Sequence, residues 1–435
     1  MKKEYIDFLP TIYMMDFYKK VAKNKNKNKN NIRVDKLARY FDQFKKIFFI
    51  KLKLRKIDAI IFNDESDRRL IEGKYISAST DFIEKFYKTI TFEMRTGNRI
   101  SANDTYTKSI ISEQSLLFFS KVLRKTCHVF FIRKFNLILN DFYEQKCVVD
   151  LSEDEIINKA KDHFYQFYVY KLMLKILSPK EVFINNAYFR YPLIQACNIL
   201  NIRVVEVQHG MITESHPGYF PSIKYNSSSI LDGIFLYSEH TAKLLEKSKT
   251  FMKTDKIVVG NYLMDKLPKI YNEKKWPNSF CVSLQYTCDL DLIDRLKLYF
   301  DAHPNFYCYL IPRGRGEDFY NDLVLPSNMK FVFDKTIYEM MSYCEYHITS
   351  YSTCCYEASA FGCFNILISL PGDFNQHTYF INEALSKSGE NYLYLTENCD
   401  DEDLINRYVK EEKILIKGYF YKENYLDNLS DYFRG

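Results

Sequence analysis

The residues best suited to chemistry in this chain fall in three short loops. The first is Gln208-His-Gly210, which follows the apolar run Arg203-Val-Val-Glu-Val207 and precedes His216-Pro-Gly-Tyr219. Two histidines within eight residues on a loop after a strand suit proton transfer, because imidazole titrates nearest neutrality. His209 is the candidate base for an acceptor hydroxyl, with His216 as its companion. Glu206 either points into the layer or orients His209. Gln208, Gly210 and Tyr219 are the candidate acceptor contacts. A lone histidine is more often structural; the pair is the stronger signal. A metal would need a third ligand, and none is evident.

The second loop is Ile311-Pro-Arg-Gly-Arg-Gly-Glu317. Arg313 and Arg315 on a Gly-flexed turn can reach phosphate oxygens with charge-assisted hydrogen bonds. Gly314 and Gly316 let backbone come close. A plain solvated turn is the competing reading. The third loop is Thr349-Ser-Tyr-Ser-Thr353, which leads from a strand into a helix ending at Gly362. Free N–H groups and the positive end of the dipole favour phosphate there. Ser350, Ser352 and Thr353 add hydroxyls, and Glu357, one turn in, can accept from a ribose diol. Ser352 or Thr353 can equally be a helix cap, and the two roles are compatible. Three acidic or histidine groups look like sites but read as structure: Asp289-Leu-Asp291 and Asp400-Asp-Glu-Asp403 as helix starts, and His303-Pro304 as a turn before a strand.

These loops need strands behind them. Val182–Asn185, Arg203–Val207, Gly233–Tyr237 and Lys256–Val259 read as strands, with helices over 191–200 and 238–247. A second run places strands at 280–284, 306–311, 330–333, 346–349 and 364–369, with helices over 289–302, 336–344 and 352–361. Alternation of this kind predicts parallel sheets covered on both faces, whose ligands sit at the carboxyl ends of the strands. Ser152 with Glu155, and Thr336 with Glu339, have capping-box spacing. Residues 80–147 read as mostly helical. Residues 262–278, with Pro268, Trp276 and Pro277, show no periodic element.

With 435 residues the chain exceeds the size of a single growing core. The expected domains are 1–265, a linker over 266–278, and 279–435, with the last helices expected to pack back on the first domain. The 17% aromatic content, 36 Tyr and 35 Phe, suits a carbohydrate-facing surface, although compositional bias accounts for most of it. Net charge is +6, yet Lys19–Lys56 holds 15 Lys or Arg against two Asp, a local +13 that leaves the rest near −7. That block reads as a surface for phosphate, such as an anionic membrane. The low-complexity run 22–31 reads as a solvated arm. In Arg39–Lys56 the first half has helical spacing and the second half alternates like a strand, which fits membrane contact by its basic and aromatic residues or a solvated edge equally.

Eleven cysteines without a C-x-x-C pair fit reduced thiols and a cytoplasmic setting. Asp7, Pro10 and Asp16 interrupt any signal-peptide core. No stretch approaches a membrane span, so membrane association is expected to be peripheral. A P-loop and a G-x-G-x-x-G turn are both lacking, which argues against kinases and dehydrogenases. The basic block has no recognised nucleic-acid pattern, and no nucleic-acid partner is expected.

The motifs Val205-Glu-Val-Gln-His-Gly-Met-Ile212, His216-Pro-Gly-Tyr219, Tyr237-Ser-Glu239 and Val258-Val-Gly-Asn261 together resemble glycosyltransferases of bacterial capsule and O-antigen synthesis. Ser350-Tyr-Ser-Thr353, Tyr356-Glu-Ala358 and Phe361-Gly362 are similar to the donor-nucleotide helix of GT-B enzymes. The resemblance spans roughly residues 180 to 375 as judged by motif order. It implies an α/β GT-B fold: two Rossmann-like domains with parallel sheets facing across a cleft. It further implies that the first domain takes a lipid-linked or oligosaccharide acceptor and the second a nucleotide-sugar donor. No cofactor or metal is expected, because helix ends and basic groups stabilise the leaving phosphate. Ser352-Thr353 resembles the Ser/Thr pair of enzymes using CMP-activated acids such as sialic acid or Kdo, although Pro312–Arg315 stands where those carry His-Pro. Teichoic-acid polyol phosphotransferases, with CDP donors, share the His-Gly loop, and UDP-sugar 2-epimerases share the fold. A non-catalytic assembly protein on a membrane surface is the remaining alternative.

Overall fold

The computed structural model describes residues 6–22, 57–94, 104–107, 109–144, 150–223, 225–285, 287–313, 315–371, 375–397, 399–416 and 418–434. The basic run Arg39–Lys56, most of the 22–31 arm and Gly314 lie outside the described residues. The chain falls into two compact units, one within Met1–Leu236, Ala242–Val259 and Leu426–Gly435, the other within Tyr237–Thr241 and Gly260–Tyr425.

The first unit is built on β1 (Ala59–Asp64), β4 (Thr89–Met94), β5 (Ile110–Ser112), β6 (Glu181–Ile184), β7 (Arg203–Val207), β8 (Gly233–Leu236) and β9 (Asp255–Val258). They form one sheet in the order β5-β4-β1-β6-β7-β8-β9, and every pairing is parallel. Strands covered on both faces need apolar residues throughout, and Ile60, Phe62, Val182, Ile184, Val204 and Ile234 are all buried in its core. A hairpin, β2 (Arg68–Ile71) with β3 (Lys74–Ser77), is inserted after β1. Its turn residues Glu72 and Gly73 both have positive φ, 48° and 76°, the geometry that a two-residue hairpin turn demands.

The capping box at Ser152 and Glu155 forms and opens the helix Glu153–Leu177, which ends at Ser178 in the left-handed region. The last helix, Tyr425–Arg434, brings Phe433 against Phe86 and Phe183, and Tyr432 against Phe235. These aromatics close one end of the first unit's core.

The reading of 80–147 as helical is corrected: β4 and β5 lie inside it. Thr89-Ile-Thr-Phe-Glu-Met94 opens with three β-branched residues and an aromatic, a strand signal masked by the aromatic-rich helices Gln114–Thr126 and His128–Glu144 that follow.

The second unit holds β10 (Trp276–Ser283), β11 (Tyr307–Ile311), β12 (Met329–Phe331), β13 (Cys344–Thr349), β14 (Phe364–Ile368) and β15 (Tyr392–Leu395). Their order is β12-β11-β10-β13-β14-β15, again parallel throughout. Phe280, Val282, Leu310, Ile348 and Ile366 pack with Leu292, Ile293, Leu296 and Phe300 of the helix Asp289–Ala302.

Residues 262–278 differ from expectation. Asn261 caps a helix over Tyr262–Ile270 by accepting from Leu263 N–H at 2.9 Å. Burial of Leu263, Met264 and Leu267 holds that helix together despite Pro268 near its end. β10 then begins at Trp276, with its pairing to β13 irregular between Trp276 and Phe280, where Pro277 lacks a donor. The expected helix over 352–361 is also shorter: one α turn, Cys354–Glu357, continues as a 3-10 turn, Ala358–Phe361, and stops at Gly362 with φ 73°.

Candidate functional site

Strand order locates the sites before any side chain is considered. In the first unit the chain moves outward from β1 through β4 to β5, then returns to the other side of β1 and runs outward through β6 to β9. The switch lies between β1 and β6. In the second unit it lies between β10 and β13. Connections diverge at such points and leave a crevice beyond the carboxyl ends of the strands.

At the first switch point, β1 ends in Asn63 and Asp64, and β6 runs into Asn185 and Asn186. Asn186 donates from its amide to Asp64, which also receives Arg190 Nη2 at 2.8 Å. Arg190 is fully sequestered and pairs with Glu113 at 2.8 Å as well. A buried cation between two carboxylates is compensated, which a single buried charge would not be. Asn185 donates to Asn63 at 3.3 Å across the same gap. Asn63 Nδ2 and Asn185 Oδ1 have no hydrogen-bond partner among the described residues.

One strand further along, Glu206 is completely buried. Its Oε1 receives the Tyr219 hydroxyl at 2.9 Å and the Ala187 N–H at 3.1 Å, while Oε2 has no partner among the described residues. Burial pushes the carboxyl up to about 7, against the lowering effect of those two donors and of Arg190. No hydrogen bond joins Glu206 to His209 among the described residues. Instead His209 Nε2 lies 3.3 Å from the Tyr188 hydroxyl, and that hydroxyl donates to Asn186 at 2.9 Å. Burial holds the His209 imidazole below its ordinary value, with the Asp67 and Asp64 carboxylates opposing and Arg190 reinforcing the shift. Burial and Arg190 thus favour the uncharged ring.

His216 packs its ring on Tyr188 and Tyr219, with centroids at 5.1 and 4.9 Å, and accepts the Gly218 N–H at 3.1 Å. Gly218 lies so close to Tyr188 that a Cβ there would sit 2.7 Å from the ring, so the loop turns flat against that aromatic face. Gln208 is buried and donates to the Gly210 carbonyl at 2.8 Å. That bond fixes the loop's own shape. Space around Gly210 is open.

At the second switch point, β10 ends at Ser283 and β13 at Thr349. Thr349 donates to the Ser283 carbonyl at 3.4 Å and accepts the Ser352 N–H at 3.3 Å. Ser352 is buried, and its oxygen takes the Cys354 N–H at 3.3 Å, a cap-like bond. Ser350 is buried and meets the Thr378 hydroxyl at 3.4 Å. Thr353 sits half-buried at the start of the single helical turn without a side-chain cap bond. A helix this short contributes free N–H groups but little macrodipole. Glu357 is half-buried at the end of that turn.

After β11, Arg313 is exposed. Arg315 is not a free cation: Asp289 holds its Nη1 at 3.0 Å, and its guanidinium stacks on Phe319 at 3.8 Å. Asp289 also takes the Tyr320 hydroxyl at 2.6 Å. Asp289 thus begins a helix, as its sequence suggests, and also anchors the arginine loop.

Sequence reading missed Asp64, Asn186, Tyr188 and Arg190. The signal available was the run Asn63-Asp-Glu-Ser-Asp67 directly after a buried apolar strand, which is where α/β ligands collect. Among the described residues, no group of three or more His, Cys, Asp or Glu is arranged to hold a metal, and no helix is long and apolar enough to cross a membrane. All ten described cysteines are free.

No known family model matches this chain. No curated protein matches it either. Solved structures with a similar course of the chain include Staphylococcus aureus MnaA with UDP (11% identity, 87% of this chain and 96% of that one, TM-score 0.45). A UDP-GlcNAc 2-epimerase of Methanocaldococcus jannaschii with UDP-GlcNAc and UDP is another (10%, 86% and 99%, TM-score 0.48). A third is the glycotransferase of kitacinnamycin (8%, 88% and 95%, TM-score 0.47). These likenesses assign no activity to this chain.

Proposed function

We propose that this protein is a glycosyltransferase of GT-B type that moves a sugar from a nucleotide-activated donor to a surface polysaccharide, a capsule or O-antigen chain. The observation that carries the reading is the half-buried His209 just past the carboxyl end of β7, beside the switch point of the first sheet, with its Nε2 held 3.3 Å from the Tyr188 hydroxyl. A positioned imidazole is what activation of a sugar hydroxyl requires. In the second unit a hydroxyl-lined turn follows the switch-point strand, and an exposed Arg313 lies on the loop after the neighbouring strand.

In this reading the acceptor hydroxyl gives its proton to His209 as its oxygen bonds to the anomeric carbon. The bond from that carbon to the donor phosphate breaks, and the nucleotide leaves with the electron pair. Arg313, Ser350, Ser352 and Thr353 hold the phosphate, with Arg315 kept in place by Asp289. Glu357 takes the ribose. Glu206 and Tyr219 set the shape of the loop that carries His209, and Gln208, Gly210 and His216 line the acceptor side. The acceptor is lipid-linked or a free oligosaccharide, and the setting is the cytoplasmic face of the membrane. A CMP-activated acid such as sialic acid or Kdo is one donor class that fits Ser352-Thr353.

The test is a panel of CMP-, CDP-, UDP- and GDP-linked donors titrated into the full chain by calorimetry, followed by chromatography for free nucleotide. A sugar nucleotide that binds and is turned over supports the reading. Turnover of a CDP-polyol alone would make the protein a polyol phosphotransferase. Binding to anionic vesicles with no donor binding would make it an assembly protein.

A further inference from the structure

The hydrogen bonds around His209 have a direction that can be read from one end. Asp64 is an ion-paired carboxylate, held by Arg190 Nη2 at 2.8 Å. A carboxylate only accepts. The Asn186 side chain that meets it must therefore present its NH2 group to Asp64. That settles an amide orientation otherwise a matter of assignment. The Asn186 oxygen then faces the Tyr188 hydroxyl, 2.9 Å away, and can only accept. Tyr188 has one proton and spends it there. Its oxygen is left as the acceptor for His209 Nε2 at 3.3 Å, so Nε2 must carry a proton. A neutral imidazole with its proton on Nε2 has a lone pair on Nδ1. That atom is screened from water and has no hydrogen-bond partner among the described residues.

We propose that Asp64, Asn186 and Tyr188 form a one-way hydrogen-bond chain that fixes His209 with its proton on Nε2 and its lone pair on Nδ1. The role of His209 as base rests on the transferase reading above; the proton placement does not. The chain spans the switch point from β1 to β6 and reaches the end of β7. It couples residues 122 apart in sequence. Asp64, Asn186 and Tyr188 are positioning residues, acting through His209.

Other groups face the ring. Asp64 and Asp67 favour its protonated form and Arg190 opposes it. His216 packs on the Tyr188 ring. Tyr18 stacks on Tyr188 at 6.5 Å and meets its hydroxyl. Whether Tyr188 gives its one proton to Asn186 or to Tyr18, that proton does not face Nε2, so the Tyr188 oxygen still accepts from His209. Uncompensated, the two ring forms of histidine differ little in free energy, so one well-made bond decides between them.

Two variants separate the chain from simple packing. Asn186 has φ 57° and ψ 59°, a left-handed conformation that glycine adopts without strain. Asn186→Gly therefore removes the amide and keeps the backbone. Tyr188, having lost its acceptor, then turns its proton toward Nε2, and His209 shifts toward the form protonated on Nδ1. Tyr188→Phe removes the acceptor for Nε2 and leaves a mixture of the two forms.

The readout is a long-range proton–nitrogen correlation spectrum of the 15N-histidine-labelled full chain near pH 7.5. The expected result is Nε2–H in the parent, inversion toward Nδ1–H in Asn186→Gly, and a mixture in Tyr188→Phe. A parent ring protonated on Nδ1, or the same tautomer in all three proteins, overturns the chain. Donor turnover is read in parallel, where kcat/KM should fall at least tenfold in Asn186→Gly with nucleotide affinity unchanged. If the tautomers follow expectation but His209→Ala keeps full turnover, the chain stands and the base assignment falls.

Discussion

The Tyr219 hydroxyl donates to the Glu206 carboxyl at 2.9 Å, and both groups are buried. This bond joins the end of β7 to the loop that follows it, so Glu206 reports on the integrity of the His209 loop through its titration. Its folded pKa of about 7 lies above the ordinary 4.5 because burial penalises the charge. A raised carboxyl pKa adds stability that is complete below pH 4.5 and is lost as pH rises through 7. The loss is of order 3 kcal/mol between pH 4.5 and 8. Urea midpoints at pH 5 and pH 8 should show it, and Glu206→Gln should flatten it. Glu390, also pushed up to about 7 by burial, titrates in the same window, so Glu390→Gln is the needed companion. Tyr219→Phe removes a lowering hydrogen bond and should move the Glu206 step to higher pH.

Arg190 is the second point of leverage. It is buried between Asp64 and Glu113, with both pairs at 2.8 Å. Arg190→Ala strands two carboxylates and should cost about 3–5 kcal/mol in urea unfolding. The same change should also loosen the Asp64–Asn186 bond and lower turnover in whatever fraction remains folded.

Much of this arrangement is legible in the sequence. The strands from 182 to 259 and from 280 to 369 follow from apolar runs bounded by Gly and polar turns, since a strand buried on both faces has few other ways to be written. Capping boxes at Ser152 and Thr336 mark helix starts because each satisfies two free N–H groups with local residues alone. His209 and Glu206 are visible because they lie three residues apart, one on the loop that follows β7 and one inside β7 itself. Asp64, Asn186 and Tyr188 are not, because what matters about them is contact across adjacent strands, set by strand order. Arg315 shows the same limit from the other side: its sequence suggests a free phosphate ligand, and only the fold brings Asp289 to it. β4 was hidden by its neighbours' aromatic richness, and the helix over 262–270 by a proline that tertiary burial tolerates.

Gly260 sits at φ 95°, and a methyl group there would overlap the Lys422 carbonyl. Gly260→Ala should destabilise by about 2 kcal/mol or more, combining a left-handed backbone penalty with a backbone clash. Thermal unfolding followed by circular dichroism checks it, with Gly210→Ala, where space is open, as the neutral comparison.

The two arginines of the 311–317 loop should behave differently. Arg313→Ala removes an exposed cation and should weaken nucleotide binding about tenfold, roughly 1.4 kcal/mol, without changing stability. Arg315→Ala should weaken binding as well, and it also frees Asp289 and should lower the melting temperature. Calorimetry with the bound nucleotide and a melting curve for each variant separate the two.

The most direct measurement compares the parent chain and His209→Ala with the donor that binds. Nucleotide affinity is taken from calorimetry and sugar transfer from the release of free nucleotide. A general base is worth roughly 10²- to 10⁴-fold, so transfer should fall by at least 100-fold while affinity changes less than about twofold. Equal turnover in the two proteins, or loss of nucleotide binding in the variant, would contradict the account.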